Sequence, residues 1–217
     1  MRAIVLLSLL SGSVALGQSI EQAKHVLNFD ALTPSWQELL STLHEVEYVA
    51  APFTEARHFK FKTEPQRYTG VFRKASNGAV SLAYEDGSSM ALHVGDGYAY
   101  YRKGDGPAKA IPDFASKRDS VSLLPSLLGL KLEDLNTVYT VYGRLESGNA
   151  WELRLVERPE VEMDLTYEQI DVTGQGPVVE TIVLRKGAMR SIEITLESPE
   201  FPESFSSEVM EAYFFQP

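Results

Sequence analysis

The chain has 217 residues, a formal charge of −10, 44% hydrophobic residues and no cysteine. Without cysteine there is no disulfide staple, no thiolate metal ligand and no thiol nucleophile, so packing alone must hold the fold. The acidic balance lacks the basic footprint of a nucleic-acid binder and excludes nucleic acid as a partner.

Met1 to Gly17 has the order of an export signal: Arg2, an apolar stretch from Ala3 to Leu10, and small residues at Ala15-Leu16-Gly17. That stretch is too short for a bilayer span, which takes about 20 residues. These features predict cleavage near Gly17/Gln18 and an exported, soluble protein, which reads as a single domain over 18–217 because no linker is evident. No cysteine follows the leader, so no lipid anchor is expected.

Residues 20–47 read as helical. Thr33 is a suitable N-cap, Pro34 suits the first helical position, and Trp36, Leu39, Leu40, Leu43 and Val46 form one apolar stripe. From Tyr48 the period becomes two. Phe53, Phe59 and Phe61 share one face, while Thr54, Ala56, His58, Lys60 and Lys62 take the other. Glu55 and Arg57 fall on the phenylalanine side, either as a structural ion pair at a strand rim or with Arg57 as a polar anchor at a cavity mouth.

Turn signals follow at Gly70, Asn77-Gly78, Asp86-Gly87, Gly95-Asp96-Gly97 and Gly104-Asp105-Gly106. They predict an antiparallel meander containing Ala79–Glu85 (Val80, Leu82 and Tyr84 inward), Ser89–Val94 (Met90, Leu92 and Val94 inward) and Tyr98–Lys103. The Gly-Asp-Gly triplets lack the further spaced carboxylates of a calcium loop and read as hairpin turns. Between Pro107 and Asn136 the meander pauses at Val121–Leu130, a leucine-rich helical piece that Pro125 kinks or restarts. Strands are expected again at Thr137–Arg144, through Trp151, Leu153 and Leu155, and at Met163–Val172, Val178–Arg185, Met189–Glu197 and Tyr213–Phe215. His25, His44, His58 and His93 are scattered, with His58 and His93 on outward strand sides, and no H-E-x-x-H or G-x-S-x-G motif occurs. Glu85-Asp86 and Glu133-Asp134 sit in turns or helix starts and read as surface charge. No catalytic residue, metal site or cofactor is assigned.

A sheet of about ten strands curls and acquires a concave face. The helix over 34–47 and the leucine-rich segment 120–130 are available to cover it. Tight covering gives a filled core and loose covering a closable apolar cavity; periodicity leaves both open.

Several pieces stand in a familiar order. They are the leader, the capped helix, the F-x-E-x-R strand (Phe53, Glu55, Arg57), Gly70, Ser76-Asn77-Gly78 through Tyr84, and Val94 through Tyr100. The leucine-rich segment, Trp151-Glu-Leu153-Arg-Leu155 and Phe214-Phe215-Gln-Pro217 complete the set. In this order the chain resembles the periplasmic outer-membrane lipoprotein carrier (LolA-like) family over nearly all of 18–217. The F-x-E-x-R and W-x-L-x-L strands look most like the subgroup that accompanies aryl-polyene and lipid export systems.

The resemblance implies a mainly β fold with helices (α+β): an unclosed antiparallel β-barrel with an α-helical lid over an apolar, acyl-binding cavity. It implies a non-catalytic monomeric carrier of a lipid, fatty-acyl or lipoprotein ligand, with an inner-membrane exporter as donor and an outer-membrane acceptor. The ligand would meet Phe53, Arg57, Phe59, Phe61, Leu82, Tyr84, Met90, Leu92, Tyr100, Leu153 and Leu155 on the sheet, and Leu123, Leu124, Leu127 and Leu128 on the lid. The family's Arg-Pro pair before the third strand is Ser76-Asn77 here, which removes an arginine that helps hold the lid; Arg57 and Arg73 are the candidate substitutes. The alternative is a periplasmic sensor or adaptor that uses the same fold to bind a partner protein.

Overall fold

Residues 25–85, 89–95, 97–111, 126–127, 131–146, 149–160, 167–187 and 190–215 are described in the computed structural model. The elements are β1 (His25–Val26), a 3-10 turn (Phe29–Ala31), α1 (Pro34–Glu45), β2 (Val49–Phe59), β3 (Gln66–Lys74), β4 (Val80–Tyr84), β5 (Met90–Gly95), β6 (Tyr98–Lys103) and β7 (Lys109–Ala110). They continue with α2 (Leu132–Asn136), β8 (Tyr139–Leu145), β9 (Ala150–Glu157), β10 (Gln169–Gln175), β11 (Val178–Lys186), β12 (Arg190–Leu196) and α3 (Ser207–Tyr213).

Among the described residues, twelve strands form one antiparallel sheet in the order β1-β8-β9-β10-β11-β12-β2-β3-β4-β5-β6-β7. The sheet does not close, and its edges β1 and β7 are two residues each, a length that offers little to a foreign strand. The expected unclosed antiparallel barrel is the observed architecture. Two meanders, β2–β7 and β8–β12, meet where β12 pairs with β2, with Leu196 opposite Phe53 and Ile194 opposite Glu55. Asn77-Gly78 makes the β3–β4 turn: Gly78 takes φ +78°, and the Asn77 side chain accepts from the Ala79 N–H at 3.0 Å.

The chain from Ile111 to Val138 must pass from the β7 edge to β8, one strand from the opposite edge. Leu127, Leu132 and Leu135 join the buried cluster formed by Phe53, Phe72, Leu82, Val141, Trp151, Leu153, Leu155, Ile170, Val172, Ile182, Ile192, Ile194 and Leu196. The described part of this crossing therefore runs over the concave face. On the same face α1 contributes Trp36 and Leu43, its two buried residues.

Several expectations are corrected. Within 25–47 the helix is confined to Pro34–Glu45, because His25 and Val26 pair with β8 and the Leu27 N–H donates to Val141 O at 2.9 Å. Thr33 holds the N-cap backbone geometry without a side-chain hydrogen bond. Gly70 lies inside β3 and makes no turn: a Cβ there would come 2.1 Å from Ala83 O and 2.8 Å from a Phe53 ring carbon. Tyr213–Phe215 is not a strand. Tyr213 ends α3, whose N-cap Ser206 accepts from the Val209 N–H, and Phe214 and Phe215 lie against the outer face of the sheet. The strand expected from Met163 is seen from Gln169; Met163–Thr166 lie outside the described residues.

His93 is only 2% exposed, although its strand side is outward. The C-terminal segment supplies the cover, with Nδ1 2.7 Å from Phe215 O and the Phe214 and Phe215 rings edge-on to the imidazole. His58 is exposed as expected.

Candidate functional site

Phe53, Leu82, Leu127, Leu153 and Leu155 are all 6% exposed or less and belong to one continuous core on the concave face. Tyr84 and Leu92 are half-buried against it. Met90 follows in register two residues from Leu92 and is also half-buried. At the end of this face nearest the β2–β3 hairpin the apolar lining gives way to a polar cluster. Glu55, 3% exposed, forms an ion pair with Arg57 Nε, and the Tyr84 hydroxyl donates to its other carboxylate oxygen at 2.7 Å. The Arg57 guanidinium lies 4.4 Å from the Tyr68 ring centroid and its side chain keeps 28% exposure. Burial opposes the charge on Arg57, but the hydrogen bond and charge of Glu55 outweigh it and hold its pKa above the ordinary arginine value. Burial first, and then the Glu55 charge, push the Tyr84 hydroxyl above the usual tyrosine range. The structural ion pair of the sequence reading is thus formed, with its guanidinium side partly open.

Other expected site residues lie elsewhere. Phe59 is half-buried at the end of β2 beneath Lys62 and Arg190, whose charged groups stand 5.3 and 5.8 Å from its ring centroid. Phe61 is 87% exposed and does not line the face, because β2 ends at Phe59 and the alternation stops in the following turn. Tyr100 stands opposite His93 and so belongs to the outer face with the C-terminal segment. Leu123, Leu124 and Leu128 lie outside the described residues.

Sequence reasoning missed how the cover is fastened. Arg73 is on the outer face, its guanidinium 3.8 Å from the Tyr213 ring centroid, so it does not reach the lid. The neighbouring Lys74 does: its Nζ donates at 2.8 Å to Val46 O, the C-cap of α1, where a cation meets the negative end of the helix dipole. Burial first, and then nearby Lys131, lower the Lys74 pKa. Only knowledge of which strand ends beneath α1 could have singled out this lysine.

Three openings border α1. A cavity of about 30 Å³ lies at its C-terminal end between Leu43, Val49, Phe72, Lys74, Val179 and Leu196. A cleft of about 360 Å³ follows its flank past Glu38, Leu39, Thr42, Leu145 and Pro177. Another of about 560 Å³ opens at its N-terminal turn between Leu27, Asn28, Leu32, Trp36, Gly143 and Leu145. No described helix is long and apolar enough to cross a membrane.

No family model matches the sequence, and no curated protein matches it. Among solved structures the chain is similar to an uncharacterized conserved protein from Thermus thermophilus, with a TM-score of 0.49 and 9% identity over 84% of this chain and 94% of that one. It is similar to a LolA superfamily protein from Nitrosomonas europaea, with a TM-score of 0.45 and 8% identity over 80% and 96%. A chain of the Pseudomonas aeruginosa MucA/MucB complex gives a TM-score of 0.44 and 14% identity over 80% of this chain and 58% of that one.

Proposed function

We propose that the protein is a periplasmic, non-catalytic carrier that holds an acyl chain or the lipid part of a lipidated ligand against the concave face and shuttles it toward the outer membrane. The observation that carries this reading is the contrast between the face and its cover. The apolar face runs from β8 to β5, whereas α1 fully buries only Trp36 and Leu43 on it, packs Leu39 and Leu40 against it half-buried, and is bordered by open clefts. At about 1.5–3 kcal/mol for each full burial, two buried and two half-buried side chains hold the helix by roughly 5–9 kcal/mol in all. A long acyl chain gains about 0.8 kcal/mol per buried CH₂, on the order of 10 kcal/mol in all. The two terms are close in size, so α1 can lift on loading and reseat on release.

The lid's side chains fill the face at rest, which keeps the empty carrier from exposing it to water. The Glu55–Arg57–Tyr84 cluster then meets the ligand's polar end. Service to an aryl-polyene or lipid export system, with an inner-membrane exporter as donor and an outer-membrane acceptor, belongs to the same proposal. Native mass spectrometry of protein purified from its own periplasm tests it. A noncovalent adduct of lipid mass is expected, and a chain free of lipid in every preparation would contradict it.

A further inference from the structure

The tip of the β2–β3 hairpin is built unlike the rest of this acidic chain. β2 ends at Phe59, and the Lys62 N–H donates to Phe59 O at 2.9 Å, which turns Lys60 and Phe61 out at the apex. Phe61 is 87% exposed, the most open of the large hydrophobic residues among those described. Its neighbours are cations: Lys60 Nζ stands 5.9 Å from the Phe61 ring centroid and Lys62 Nζ 5.3 Å from that of Phe59. Beside it Arg190 of β12 stands opposite Phe59 and Lys186 of β11 opposite Arg190. Exposed Arg67 adds a further charge on β3. Among the described residues Glu64 lies on this tip, and Glu160 and Glu168 on the neighbouring β9–β10 connection, where Glu168 is engaged by the Gly187 N–H at 3.1 Å. In a chain of charge −10, cations are thus gathered around one protruding phenylalanine.

We propose that the β2–β3 hairpin tip, with Lys186 and Arg190 beside it, docks the protein on an anionic lipid bilayer. A ring carried beyond the body of the protein enters the acyl boundary, while ammonium groups beside it reach lipid phosphates. A bilayer suits this shape better than a protein partner, whose interface needs about 800 Å² of packed surface on each side. The acidic remainder does not oppose docking strongly, because charges beyond about 10 Å are screened at 0.1 M salt. Arg57 lies two residues before Phe59 on β2, so the docked molecule turns the polar end of its concave face toward the lipid. The docking surface stands independently of what the face carries, because vesicle binding requires no cargo.

The test uses purified protein and two sets of vesicles, phosphatidylcholine alone and phosphatidylcholine with an equal part of phosphatidylglycerol. Sedimentation is expected to show preferential binding to the anionic vesicles that weakens with salt. Lys60→Glu with Lys62→Glu should reduce it about tenfold or more, and Phe61→Ala several-fold, with melting temperatures unchanged because these side chains are exposed. Phe61→Trp gives a direct signal when read as the difference from the parent chain, whose Trp36 and Trp151 are 6% and 1% exposed. Its emission should shift to the blue on anionic vesicles and be quenched by brominated lipid. Equal binding to both vesicle types, an unshifted Phe61→Trp spectrum, or variants that bind like the parent chain would overturn the proposal.

Discussion

Tyr84 on β4 reaches Glu55 on β2 across the intervening strand, its hydroxyl donating at 2.7 Å to the buried carboxylate. The passage exists because β3 presents Gly70 opposite both Tyr84 and Phe53, leaving the space a Cβ would occupy. Tyr84→Phe removes this donor and leaves one oxygen of a 3%-exposed carboxylate unsatisfied. It should lower unfolding free energy by about 2 kcal/mol in chemical denaturation. Arg57→Met, which strips Glu55 of its counter-charge, should cost about 3 kcal/mol, the low end for a broken buried pair because the guanidinium is partly exposed.

Gly70→Ala places a methyl group against a backbone carbonyl that cannot move without breaking the β3–β4 ladder. Overpacking of this kind should destabilise the protein by about 3 kcal/mol, read as a lower melting temperature.

His93 makes stability depend on pH. Burial depresses its pKa despite the hydrogen bond to Phe215 O, and Nε2 has no partner among the described residues to receive a second proton's hydrogen bond. Around the ring stand Ser81, Tyr98, Tyr100, Phe214 and Phe215 with Arg102, which donates to Ala212 O, and no described carboxylate contacts it. The unfolded chain binds this proton more readily, so the stability is present above the unfolded pKa of about 6.5 and is lost as pH falls below it. The slope should not exceed about 1.4 kcal/mol per pH unit for this single group, and His93→Gln should flatten it. Asp171 acts in a lower window. Burial raises its pKa, but hydrogen bonds from Arg154, Gln169 and Arg185 and the charge of Arg154 hold it below the ordinary 3.8, so its contribution disappears only as pH falls past that value.

Strand positions were legible in the sequence because Asn77-Gly78 and the Gly-Asp-Gly turns punctuate period-two runs, and those runs also gave Phe53, Leu82, Leu153 and Leu155 their inward side. Side alone did not give burial. His93 is outward yet sealed because a segment more than a hundred residues away folds back over it, and no local pattern encodes that return. Tyr213–Phe215 has the composition of a strand, but these residues cover the sheet with side chains and add no strand to it. Phe61 failed for a simpler reason: alternation continued past Phe59 in the sequence, while the backbone had already turned.

Lys74→Met cuts the tether between β3 and the last carbonyl of α1. A half-buried charged hydrogen bond of this sort contributes about 1.5 kcal/mol. Global stability should therefore fall slightly, whereas amide exchange along Pro34–Glu45 should accelerate and ligand uptake become faster.

The central claim, an apolar face that exchanges its own lid for an acyl chain, is tested most directly by titrating delipidated protein with a fluorescent long-chain fatty acid. Saturable binding near one ligand per chain is expected, reversed by unlabelled fatty acid and accompanied by energy transfer from Trp36 and Trp151, which lie in the core that the ligand enters. A signal that never saturates, or one that leaves both tryptophans unaffected, would mean that the leucines and isoleucines of this face serve the protein's own packing alone.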